Sequence, residues 1–127
     1  SNFDLSMIVY DSAISVISIG VIIAVFFVII TSLSPLFNIF PPALRPIFEG
    51  FIEITKGCLT LSTTNLTPLL KTTLATTIIS FGGLSTFFQS LVMIEKLEIN
   101  KFSFFLQKIT QAIFSFLVSF VLCFIFL

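Results

Sequence analysis

Two stretches of the chain are almost unbroken in apolar residues, and each is long enough to be a membrane span. The first runs from Ser12 to Phe37, above the roughly 20 residues that a helix needs to cross ~30 Å of hydrocarbon. It predicts a transmembrane helix, preceded by a polar tail over 1–11. Pro35 and then Pro41-Pro42 are expected to end it, because each lacks an amide donor and biases the residue before it away from helical angles. The second long run, Phe102 to Leu127, predicts a final span. Gln107, Gln111, Ser115 and Ser119 recur along it every four residues, a polar stripe expected to point into protein rather than at lipid. On the first span, Gly20 and Ala24, with Ser12, Ser15 and Ser18 nearby, make a small-residue strip suited to ordinary helix packing.

Between these runs the pattern is mixed. Residues 42–65 mix Arg45, Glu49, Glu53 and Lys56 with Phe48, Phe51, Ile52 and Ile54, and this segment is too short and too charged to span. It predicts a re-entrant or interfacial helix ending at Gly57, followed by a hydroxyl-rich stretch that must face protein or water. Thr67-Pro68 is a good helix start, with Thr67 as cap and Pro68 at the first helical position. The helix is expected to run to Phe81, stop at Gly82-Gly83, and resume with Ser85 as cap as far as Glu95. Each half covers only about 20 Å at 1.5 Å per residue. The two therefore form either one broken pass or a hairpin tipped by the glycines, within residues 67–95. Lys96 to Lys101 is the next polar turn.

Composition agrees with this picture. Of 127 residues, 57% are hydrophobic and 9% charged, with mean hydropathy +1.19, far from an ordinary soluble domain. Eighteen Phe and no Trp leave Tyr10 as the interfacial aromatic, so membrane depth is weakly marked. Six basic and six acidic residues cancel, which argues against nucleic acid as a partner. Cys58 and Cys123 stand apart in a chain without His, so no metal set and no cofactor is expected. Without His there is also no evident base to activate a nucleophile, and enzymatic activity is not expected. Acidic residues before the first apolar run argue against a cleaved signal. The acidic start suggests an outside N-terminus, with Arg45 and Lys56 then cytoplasmic, although Lys96 and Lys101 fit that orientation only if the glycine-broken segment is a hairpin. Multi-pass insertion in the cell membrane follows.

Two groups of residues are candidates for chemistry. Glu49 and Glu53 are four apart, so on one helix they share a face and could bind a cation or a proton together. The competing reading pairs them with Arg45 and Lys56. The second group is Ser80-Phe81-Gly82-Gly83-Leu84-Ser85 with Gln89. A discontinuous helix frees carbonyls at the end of its first half and amides at the start of its second, favouring cations near Ser80 and anions near Ser85. The competing reading is a glycine pair that admits a neighbouring helix.

Gly50-Phe51-Ile52-Glu53-Ile54-Thr55-Lys56-Gly57, followed after a linking helix by Ile79-Ser80-Phe81-Gly82-Gly83-Leu84-Ser85 and Gln89, resembles the gate domain of concentrative nucleoside transporters, ferrous-iron permeases and several bacterial spore-formation membrane proteins. Order and spacing over Pro42 to Phe120 look most like the C-terminal part of sporulation integral membrane proteins of the YlbJ type. The resemblance implies one half of a transporter-like inverted-repeat fold, completed by a missing half or by a homo-oligomeric partner. It also implies that Glu53, Thr55 and Gly57 belong to a re-entrant hairpin and that Gly82, Gly83 and Ser85 sit in an unwound helix centre, which favours the broken pass. A role in building the spore envelope, with movement of a small solute or cation, is the implied function. Two departures bear on it. Nucleoside transporters carry an Asn where Gly83 stands, and the phosphate-binding loop of iron permeases has no counterpart here. A conventional proton- or ion-coupled carrier and a structural scaffold are the other readings.

Overall fold

A computed structural model describes residues 4–95 and 97–127, the side chain of Met93 aside. Lys96, part of the expected polar turn, and residues 1–3 of the expected tail lie outside them. The described chain is helical throughout: α1 (Leu5–Leu33) runs into a 3-10 turn (Ser34–Ile39), then α2 (Arg45–Ile52), α3 (Ile54–Ser62), α4 (Pro68–Phe81), α5 (Gly83–Ile94) and α6 (Lys101–Phe126). Among the described residues, three segments are long and apolar enough to cross a membrane, namely Leu5–Ile39, Pro68–Val92 and Lys101–Phe126.

The first helix starts seven residues earlier than the apolar run. Asp4 caps it, its carboxylate accepting from the amides of Ser6 and Met7, so residues 5–11 are helix and not tail. The Ser6 hydroxyl, then the Met7 amide, holds the exposed Asp4 carboxyl below its ordinary range. Pro35 converts the end of the helix to a 3-10 turn rather than stopping it. At the far end of the chain, Asn100 accepts from the amides of Phe102 and Ser103 and so starts α6.

Residues 45–62 form two short helices rather than one ending at Gly57. Glu53 is extended (φ −147°, ψ 124°) and serves both. Its amide donates to the Glu49 carbonyl at 2.8 Å, closing α2, while its carboxylate accepts from the Lys56 amide at 2.9 Å, opening α3. The helices fold back on each other where Gly57 meets Gly50. A Cβ on Gly57 would stand 2.6 Å from the Gly50 nitrogen and 2.9 Å from the Pro46 carbonyl oxygen, so only glycine permits this approach.

The Thr67 hydroxyl accepts from the Leu70 amide, and Pro68 opens α4. The helix ends in the left-handed Gly82 (φ 87°), followed by Gly83 (φ 70°), the conformation glycine adopts without a Cβ penalty. α4 lies along α6, whereas α5 packs against α1, with α2 touching both, so the two halves bend apart and do not form a hairpin. Phe pairs fasten the elements. Phe26 meets Phe88 between α1 and α5, Phe40 stacks on Phe48 ahead of α2, and Phe87 packs on Phe104 and Phe105 at the start of α6. The few fully enclosed residues, Ile30, Leu61, Ile78 and Thr73 among them, lie between these helices, while most large apolar side chains face outward. An outward apolar surface is what lipid contact demands.

Candidate functional site

The two helix interruptions meet. Gly83, the first residue of α5, lies so near the tip of the α2–α3 hairpin that a Cβ there would be 3.1 Å from the Gly50 carbonyl oxygen and 3.3 Å from that of Ile52. Phe51, at the tip, stacks on Phe81, the last residue of α4, with ring centroids 5.0 Å apart and planes 14° apart. Gly50 in turn leaves room for Ile78 of α4, whose side chain a Cβ would meet at 2.7 Å. Each interruption brings helix ends with unmatched backbone groups: carbonyls at the ends of α2 and α4, and amides at the start of α5, which no side chain caps. The carbonyl ends favour a cation and the amide end an anion.

Glu53 and Ser85 are the buried polar side chains of this crossing, 3% and 2% exposed. The Glu53 carboxylate sits on the first turn of α3, where the helix dipole favours negative charge. Ser85 does not cap α5. It lies inside the first turn, and its hydroxyl accepts from the Gln89 amide at 3.2 Å. With Gly82 left-handed, the helix restarts at Gly83, two residues before the serine.

Glu49 does not share a face with Glu53, because the extended backbone at Glu53 turns the second helix back. It is fully buried and belongs to a separate cluster. One carboxylate oxygen accepts from Arg45 Nε at 3.0 Å and the other from the Thr60 hydroxyl. The Arg45 guanidinium also donates to Asn38 Oδ1 at 2.7 Å and to the Ser34 hydroxyl at 2.9 Å, tying the 3-10 turn to both helices of the hairpin. A cavity of about 330 Å³ opens beside it, lined by Asn38, Arg45, Thr60, Thr64 and Asn65. The Arg45–Glu49 pairing is one of the two readings that spacing leaves open. Sequence reasoning misses Ser34, Asn38 and Thr60, although Ser34 and Asn38 do stand out as polar residues closing an apolar run.

The remaining candidates disperse. Thr55 is exposed on the first turn of α3, and Gly57 is the hairpin contact. Ser80 turns to α6, donating to the Gln111 carbonyl at 3.4 Å and accepting from the Ser115 hydroxyl at 2.7 Å. Of the expected inward stripe on α6, only Ser115 hydrogen-bonds another helix through its side chain among the described residues. Ser119 donates to its own helix backbone, and Gln107 and Gln111 are exposed, because the face of α6 that meets α4 is centred on Phe105, Ile109 and Ala112, more than a quarter-turn from either glutamine. Cys58 and Cys123 are free thiols. Thr73, buried on α4, has a hydroxyl without a partner among the described residues. Beside the crossing runs an apolar groove of about 350 Å³, walled by Phe51, Ile78, Phe81 and Ile113. No family model, curated protein or solved structure matches this chain.

Proposed function

We propose that this chain is one half of a gate-type membrane domain that moves a small solute or cation, and that it serves the building of the spore envelope. The observation that carries the transport reading is the contact between two helix interruptions, Glu53 at one and Gly82-Gly83 at the other. Backbone that departs from helix inside a membrane is stable only where it is enclosed by protein or lines a cavity, and crossed half-helices are the usual ligand-holding device of secondary transporters. The α2–α3 hairpin is read as re-entrant, since at about 1.5 Å per residue neither of its helices could cross hydrocarbon. The α4–α5 unit is read as a broken pass. The spore-envelope role rests on the sequence resemblance, and an enzymatic role is set aside because the chain has no His and no evident nucleophile–base pair.

The test is a sporulation assay of a strain lacking the gene, complemented with wild type or with Glu53→Gln. Loss of resistant spores, rescued by wild type and not by Glu53→Gln, is the expected result. Normal sporulation in the deletion strain would refute the spore role and turn the search to solute uptake, which should then collapse in Glu53→Gln. One observation favours a scaffold instead. Both carboxylates already have structural partners, Glu49 in an ion pair and Glu53 in a cap. On that reading Glu53→Gln and Ser85→Ala leave the phenotype intact, while changes at Gly82 do not.

A further inference from the structure

The outward face of α6 carries two glutamines where an apolar surface would suffice. Gln107 and Gln111, one turn apart, are exposed together with Thr110 and Phe114, and neither amide makes a hydrogen bond to another described residue. Thr110 turns its hydroxyl onto the Leu106 carbonyl of its own helix, the usual way a threonine is satisfied against lipid. A glutamine amide has two donors and an acceptor that its own helix cannot engage. α6 has 26 residues, and hydrocarbon ~30 Å thick spans about 20 of them, so Gln111 lies well inside the apolar layer. An unpaired amide at that depth costs free energy that a partner amide would recover.

We propose that this face is the contact between two copies of the chain, with α6 paired in parallel across a two-fold axis. Two copies inserted with the same topology present α6 in the same direction, so a two-fold axis along the membrane normal sets Gln107 opposite Gln107 and Gln111 opposite Gln111. The amide is its own complement, donor to acceptor and acceptor to donor, which is why an identical face suits it. α4 covers the side of α6 that carries Phe105, Ile109 and Ala112, where Phe105 meets Phe81, and reaches the flank of the stripe at Ser115, which meets Ser80, so the exposed glutamine amides stay clear of the side-chain contacts within the chain. Such pairing requires only that α6 spans a membrane and is independent of any transported solute.

The single variants Gln107→Cys, Phe114→Cys and, as a control on the equally outward face of α1, Val16→Cys are made with Cys58 and Cys123 replaced by Ala, and membranes are oxidised before denaturing electrophoresis. Covalent dimers of Gln107→Cys and Phe114→Cys and none of Val16→Cys are expected. The double variant Gln107→Leu/Gln111→Leu should still insert but self-associate roughly tenfold more weakly, as measured by energy transfer between labelled copies in vesicles. Three results would overturn the proposal: no cross-link in Gln107→Cys or Phe114→Cys, cross-links only to other proteins, or ready labelling of the Gln107→Cys variant by a membrane-impermeant thiol reagent. The last would mean that the glutamines face water.

Discussion

At the scale of single residues, Arg45 is the most consequential side chain outside the crossing. One cation holds three side chains directly, the buried Glu49, Asn38 and Ser34, and a fourth, Thr60, through Glu49. Removing the guanidinium leaves a fully buried carboxylate without a counter-charge, a change that typically costs about 3–5 kcal/mol. Arg45→Ala should therefore lower thermal stability in detergent sharply. Arg45→Met combined with Glu49→Leu should recover much of the loss, because the apolar pair removes both charges together. An Arg45→Ala protein as stable as wild type would mean that Glu49 is not enclosed as described. The arginine and the glutamate are legible in sequence as an i, i+4 pair. Their other partners come from the 3-10 turn after α1 and from α3, and no local spacing announces those.

Among the elements, three junctions are set by single caps: Asp4 before α1, Thr67 before α4 and Asn100 before α6. The junction that matters most, between α2 and α3, uses a glutamate, outside the usual cap set of Ser, Thr, Asp and Asn. For that reason the sequence reads as one helix running through Glu53 to Gly57. The glycine pair, by contrast, is readable: two consecutive glycines in an apolar stretch have few uses other than positive φ or close approach, and here they serve both. Gly83→Ala should cost about 1–2 kcal/mol for the left-handed backbone alone, and more for the approach of its Cβ to the Gly50 carbonyl. Gly20→Ala, in open space on α1, should cost nothing measurable and gain slightly in helix propensity. Comparing the two melting temperatures checks the assignment, and equal values would contradict it. The Gly20–Ala24 strip, which reads as a packing face, is exposed, and a Cβ on Gly20 would meet nothing among the described residues.

For the molecule as a whole, one juxtaposition is decisive, the hairpin tip held against the break between α4 and α5. The long apolar runs of α1 and α6 are plain from composition and length, since lipid imposes both. The bend at Gly82-Gly83 can be located in sequence but its direction cannot, because the direction depends on α4 choosing α6 while α5 chooses α1. The most direct measurement is proximity across the junction. With Cys58 and Cys123 replaced by Ala, the pair Phe51→Cys/Phe81→Cys is treated with a short bifunctional thiol reagent in membranes, and the peptides separated by cleavage at Lys56 and Lys71 are analysed by mass. The stacked rings at 5.0 Å predict rapid bridging within one chain. The control pair Phe51→Cys/Phe88→Cys, whose second member packs against α1, should bridge far more slowly. Bridging of the control as fast as the test pair, or none in either, would contradict the crossed helix breaks and the transport reading built on them.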